Sequence, residues 1–245
     1  MKDTLHDIVQ HTHSLGFIDL VKIVGDDKTT ELDAMAEDRS VVVKASFGKP
    51  VGEFNGTFGM PNLSKLDILL KLPVYKDNAE ITINTQERNG ETVPVGLHFE
   101  NDNKDFKNDY RFMNAEIVNE KLKSVKFRGV NWHVTLKPTM PDVQRLNFQA
   151  QANSKENVFT VSTDGDKLKF IFGDASSHAG EFVFAQGITG KLEKSWSWPV
   201  AQFTQILKLI ESNDCEVSFS DDGAAQITLD SGLAKYQYIL PAQSK

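Results

Sequence analysis

The sequence predicts an α+β fold built from two halves of one plan, each with two helices on a mostly antiparallel sheet. Three observations carry that expectation. Residues 66–83 (LDILLKLPVYKDNAEITI) and 203–219 (FTQILKLIESNDCEVSF) read alike: an apolar pair, Lys, Leu, a short polar stretch, then an alternating strand. A hairpin signal follows each, Asn89-Gly90 and Asp222-Gly223, dipeptides that supply the positive backbone angles of tight turns. Another amphipathic helix and further strands precede each segment, so both halves read helix, strands, helix, strands. At 245 residues the chain is long enough for two domains of about 100 to 150 residues, and the expected division is 1–118 and 119–245.

Along the chain, Leu5, Ile8, Val9 and Leu15 share one face of a helix expected over 3–15, with Thr12 filling the remaining position of the stripe. Strands are expected over 17–24 and 31–47. The next helix places Leu63, Leu66, Leu69 and Leu70 on one stripe, with Pro61 expected in its first turn, where a missing N–H is tolerated. A strand over 79–83 follows. In the second half, 141–152 reads as a helix on Val143, Leu146 and Ala150. Strands 157–163 and 167–172 flank Thr163-Asp164-Gly165-Asp166, the clearest hairpin turn in the chain. Pro199 introduces a helix with Val200, Phe203, Ile206, Leu207 and Ile210 at helical spacing, and alternation from Cys215 to Phe219 reads as a half-buried strand.

Thirty-four acidic against 27 basic residues give a net charge of -7, which argues against a surface that adheres everywhere to polyanions. Any contact with nucleic acid must be local. The single cysteine, Cys215, excludes an internal disulfide and a four-cysteine zinc site, and fits a reducing cytoplasm. The N-terminus carries no apolar core of signal-peptide length, and no window approaches 18 apolar residues, so neither secretion nor a membrane span is expected.

No constellation points to catalysis. His11 and His13 are two apart, so they diverge on a helix and read as surface histidines. The cluster Glu100, Asp102, Asp105 and Asp109 resembles a calcium loop, but Lys104 takes a ligand position and the required Gly and terminal Glu are missing. It reads as a solvated hairpin loop. Gly48-Lys49-Pro50 lacks phosphate-loop spacing, Asp164 and Asp166 read as turn residues, and no serine sits in a nucleophile elbow. The expectation is therefore a non-enzyme with no catalytic residue, metal or cofactor.

The faces opposite the apolar stripes are more informative. On the Leu63 helix that face carries Ser64, Lys65, Ile68 and Lys71, with Asp67 on its flank. On the Val200 helix it carries Ala201, Gln202, Gln205 and Lys208, with Lys191 and Lys194 just upstream and Glu193 between them. On the Val143 helix it carries Gln144, Arg145, Phe148 and Gln151, where Phe148 is out of keeping. The first helix, with His6, Asp7, Gln10 and His13, is the least basic. Three helices thus keep the centre of this face free of acids in an acidic chain, as a phosphate-facing surface would. Residues 121–141 add Lys121, Lys123, Lys126, Arg128 and Lys137 with no acid, readable equally as DNA contact or as a basic connection between domains.

The C-terminal residues 232–242 (GLAKYQYILPA) resemble the closing strand of sliding clamps of the proliferating cell nuclear antigen type, which also carries Gly, Lys-Tyr, an apolar run and Pro. The Gly-rich approach to a Leu-rich helix over 54–72, followed by the strand at 79–83, is similar to the clamps of large tailed bacteriophages. The resemblance implies two clamp domains per chain and a homotrimer closed head to tail into a ring, with twelve helices around a hole. It implies a DNA polymerase processivity factor that encircles duplex DNA without sequence specificity and slides along it. Lys65, Lys71, Arg145, Lys191, Lys194, Gln202, Gln205 and Lys208 would face the DNA, and Tyr238, Ile239, Leu240 and Pro241 would border a pocket for a partner's apolar peptide. An ordinary buried strand accounts for the last four equally well. The implied partners are double-stranded DNA, a polymerase, a clamp-loader ATPase, further copies of the chain and, as in some phage relatives, transcription factors; the implied location is the cytoplasm, that of an infected host for a phage protein. The alternative is a non-enzymatic structural or assembly protein whose duplicated helices pack on other subunits.

Overall fold

A computed structural model of the chain describes residues 1–76, 79–88, 90–123, 129–174, 176, 178–212 and 214–243. Packing divides it into two units, Met1–Arg39 with Val43–Val125 and Gly232–Tyr236, and Ser40–Val42 with Lys126–Ser231 and Gln237–Lys245. The division expected after residue 118 falls inside the helix Ala115–Lys121.

The first unit runs α1 (Lys2–His11), β1 (Leu20–Gly25), β2 (Thr30–Met35), β3 (Val42–Phe47), β4 (Gly56–Pro61), α2 (Leu63–Lys71), β5 (Glu80–Arg88), β6 (Glu91–Glu100), β7 (Lys107–Arg111) and α3 (Ala115–Lys121). The second runs β8 (Val134–Leu136), α4 (Met140–Ala152), β9 (Val158–Asp164), β10 (Lys167–Phe172), β11 (Gly180–Gln186), β12 (Trp196–Pro199), α5 (Val200–Leu207), β13 (Asp214–Ser220), β14 (Ala224–Asp230) and β15 (Ala234–Pro241). One order, helix, four strands, helix, three strands, therefore occurs twice, from α1 to β7 and from α4 to β15.

The sheets repeat as well. β4-β1-β2-β3 is matched by β12-β9-β10-β11, and β5-β6-β7 by β13-β14-β15, with β8 added beside β13. Pairing is antiparallel for β1 with β2 and β4, for β9 with β10 and β12, and for β6 with β5 and β7. In each unit an isolated bridge joins the helix-leading strand to the residues after the last strand, Gly59 to Met113 and Ser197 to Gln243. The opening residues of β15 count to the first unit, where they lie beside β3, and the Gly48 N–H donates to the Leu233 carbonyl at 2.9 Å.

Local chemistry explains the helices. Leu5, Ile8, Val9 and Thr12 are all buried, and the Thr12 hydroxyl donates to the Ile8 carbonyl at 2.5 Å. The first helix is shorter than expected: it ends at His11, and residues 13–15 wind as a 3-10 turn that closes on Gly16. Leu63, Leu66, Leu69 and Leu70 are buried as the stripe predicts. Pro61 is not in the first turn of α2. It closes β4, and Asn62 precedes the helix at φ 54°; Pro199 likewise closes β12 and is the N-cap of α5. α4 starts on a capping box, with the Thr139 hydroxyl accepting from the Asp142 N–H and the Asp142 carboxylate accepting from the Thr139 N–H at 2.8 Å. α5 continues as a 3-10 helix over Lys208–Ser212.

The segment 31–47 is two strands, because residues 36–40 turn, with Arg39 at φ 59° and its N–H bonded to the Ala36 carbonyl. The β9–β10 hairpin has the expected two-residue loop: Asp164 pairs with Lys167, and Gly165 takes φ 60°. Between β13 and β14 Ser220 pairs with Ala224, and Gly223 at φ 77° supplies the left-handed residue of a three-residue loop. Arg88 pairs with Glu91 across the first-half turn; Asn89 itself lies outside the described residues.

Each unit has its own core. In the first, Leu5, Ile8, Val21, Ile23, Phe58, Leu66, Leu97 and Phe99 are buried. The second is aromatic: Phe170 stacks on Phe184 at 4.3 Å and on Phe159 at 4.6 Å, and meets Phe182, Phe203 and Phe219 edge-on. Trp198 is fully buried there, its indole N–H donating to the Leu240 carbonyl at 3.1 Å.

Candidate nucleic-acid interface

Helices pair within each unit, α1 with α2 and α4 with α5, while their apolar stripes cover the sheets. Superposing the stripes of α2 and α5 aligns Leu63 with Val200, Lys65 with Gln202, Asp67 with Thr204, Ile68 with Gln205 and Lys71 with Lys208. Lys65, Lys71 and Lys208 are exposed, as the helical spacing predicts, and Gln202 and Gln205 are half-buried. Lys65 makes no ion pair among the described residues. Lys71 Nζ lies 2.6 Å from the Asp67 carboxylate, whereas Thr204, at the matching place, turns its hydroxyl back to the Val200 and Ala201 carbonyls. Lys208 is thus without the acid that Lys71 carries, and bonds to the Gln205 amide oxygen at 3.2 Å.

Arg145 is exposed on α4, and its guanidinium lies 5.5 Å from the centre of the Phe182 ring on β11, a cation–π contact that keeps its charge accessible. Phe148 is 67% exposed and Ile68 60% exposed, each directly opposite its helix's apolar stripe. Lys191 pairs with Glu193 at 3.0 Å. Lys194 is exposed on a segment that Asp221 ties down by accepting the Glu193 and Lys194 N–H groups at 3.0 Å each. Burial opposes the charge of Asp221, but those two amides and His133 hold its carboxyl below the usual range.

The first helix departs from its reading as a solvated face. Asp7 and His11 are buried, not exposed: Asp7 accepts the Tyr236 hydroxyl at 2.7 Å, and the His11 ring stacks on Tyr236 at 4.4 Å. Burial and the nearby Lys2 hold His6 below the ordinary imidazole value. Of the other expected residues, Tyr238, Ile239 and Leu240 are buried in β15 and Pro241 is exposed. Lys126 and Arg128 of the basic stretch lie outside the described residues.

Among the described residues no group of three or more His, Cys, Asp or Glu could hold a metal ion, and no helix is long and apolar enough to cross a membrane. The acidic cluster is turn chemistry: the Asn101 side chain accepts the Asp105 and Phe106 N–H groups between β6 and β7. Cys215 is buried, and burial pushes its thiol up to about 12.

No protein family model matches the sequence, and no curated protein matches it. Solved structures do. The chain superposes on the PCNA of A. fulgidus, solved with the C-terminal region of FEN-1 bound, at a TM-score of 0.70 and 11% identity, over all of this chain and 95% of that one. It superposes on the PCNA of Thermococcus kodakaraensis at a TM-score of 0.68 and 13% identity, over 98% and 97% of the two chains. The chain has the sliding-clamp fold.

The clamp fold accounts for the doubled helix pairs and for the repeated sheet order. It also directs attention to a feature the sequence did not reveal. An open cleft of about 750 Å³ lies between α4 and α5, lined in part by Asn147, Gln151, Asn157, Gln202 and Lys208. Gln202 and Lys208 were legible from helical spacing; Asn147 and Asn157 were not, because only the α4–α5 pairing brings them together.

Proposed function

We propose that the protein is a DNA polymerase processivity factor, a homotrimer closed head to tail that encircles duplex DNA, slides on it and tethers the replicative polymerase. The observation that carries this reading is a pair of unmatched sheet edges. β7 ends its sheet in the first unit and β11 ends its sheet in the second; among the described residues each has a neighbour on one side only. An open edge offers a row of unpaired N–H and C=O groups. β11 of one copy and β7 of the next are therefore available to pair with each other. Such a contact is heterologous and either closes or polymerises; with two clamp domains per chain, three copies close a ring of six.

In this reading Lys65, Lys71, Arg145, Lys191, Lys194, Gln202, Gln205 and Lys208 face the duplex, in an otherwise acidic protein that repels DNA elsewhere. Contacts to phosphates carry no sequence information, which suits sliding. The ring acts by topology and has no catalytic step. A partner's apolar peptide docks beside Pro241, with Tyr238, Ile239 and Leu240 behind it. A polymerase, a loader ATPase and, in a phage, transcription factors are the partners it would serve in the cytoplasm.

Retention on DNA tests the reading. Protein placed on nicked circular duplex by a loader ATPase should stay bound through gel filtration and leave when the circle is cut once. Equal retention on circular and linear DNA would contradict encirclement.

A further inference from the structure

The cleft between α4 and α5 differs in chemistry from the matching helix face of the first unit. Its lining includes the side-chain amides of Asn147, Gln151, Asn157 and Gln202, with Lys208 the one cation and Glu156 the one acid among the described residues. In α2 the position of Gln202 is held by Lys65 and that of Lys208 by Lys71. At these two matched positions α2 thus presents two lysines, and α5 one lysine and one amide.

We propose that the cleft is a largely non-ionic DNA-backbone subsite, in which the amide N–H groups donate to the phosphate oxygens of one strand while Lys208 supplies the only charge contact. The inference rests on the reading of the protein as a DNA clamp and adds a division of labour to it. Three features favour a backbone occupant. The cleft is open and framed by two helices, its donors are mostly neutral amides, and among the described residues no carboxylate pairs with Lys208. Neutral donors hold a phosphate without releasing a counterion, so they add affinity but not salt dependence. Side-chain amides are ordinary phosphate ligands in protein–DNA contacts. Lys65 and Lys71, at the matching positions of the first unit, are by contrast charge contacts and make binding salt-dependent.

Binding of a fluorescein-labelled duplex of about 30 base pairs, followed by anisotropy from about 50 to about 300 mM NaCl, separates the two kinds of contact. For Gln151→Ala/Gln202→Ala the dissociation constant should rise about 3- to 10-fold at every salt concentration with the slope of log K against log [salt] unchanged. For Lys65→Ala/Lys71→Ala the slope should become shallower by about 1 to 2. Both variants should melt with the wild type, since the substituted side chains lie outside the core. Wild-type affinity in the amide variant overturns the subsite, and a shallower slope in that variant overturns its non-ionic character. A wild-type protein that a loader ATPase cannot place on nicked circular duplex overturns the clamp reading, whereas one that is retained there but binds the short duplex no better than the amide variant overturns the subsite alone.

Discussion

Lys71 and Lys208 hold the same place on α2 and α5, but Asp67 neutralises the first at 2.6 Å and Thr204 leaves the second charged toward solvent. Asp67→Thr should therefore tighten duplex binding about 2- to 5-fold at about 50 mM salt and steepen the salt slope by up to about 1, as measured by anisotropy. His98 gives a pH-dependent counterpart in the three-stranded sheet of the first unit. Its Nδ1 lies 2.9 Å from Asp109, which also accepts from Asn84, and its Nε2 lies 3.5 Å from Glu100, itself paired with Lys107. The bond to Asp109 holds His98 above the ordinary imidazole value, and the same bond holds Asp109 below the ordinary carboxylate value. A raised imidazole stabilises the fold below 6.5 and loses that contribution as pH rises through its folded value; a lowered carboxyl stabilises above 3.8 and loses it as pH falls. The pair is thus fully stabilising between those limits. Thermal melting of His98→Gln should fall below that of the wild type by about 1 to 2 °C near pH 6 and converge with it above pH about 8. Spacing made the exposed lysines legible, but not the burial of Asp7, because its partner Tyr236 is 229 positions away.

At the scale of elements, what could be read was what is local. The stripes of α2, α4 and α5 and the Gly165 and Gly223 turns stand where the residues put them, since each depends on neighbours within a few positions. β4, β7, β8, β11, β12 and α3 were missed. β8 is three residues long and exists because Val134, Thr135 and Leu136 pair with β13. The Pro61 and Pro199 assignments failed for a related reason: each proline is the last residue of a strand, so a tertiary pairing sets where the helix can begin. The aromatic core of the second unit carries a test of this packing. Phe203 on α5 is fully buried against Phe159, Phe170 and Phe219. Phe203→Ala should lower stability in urea by about 3 to 5 kcal/mol.

For the whole molecule, the net charge of -7 first argued against nucleic acid. Its distribution over faces answers that argument, because the centres of the outward faces of α2, α4 and α5 carry no acid, and these are the faces that the proposed ring turns to the duplex. The repeat was visible in the sequence as two helix–strand units, whereas the matched strand orders and the unmatched β7 and β11 edges appear only once pairing is known. Those edges make ring closure the central claim, and the native mass at micromolar concentration, by sedimentation equilibrium, tests it most directly. Three copies of the 27.4 kDa chain should give a single species of about 82 kDa that does not grow with concentration. A species that stays at 27.4 kDa, or an open series of larger masses, would contradict it.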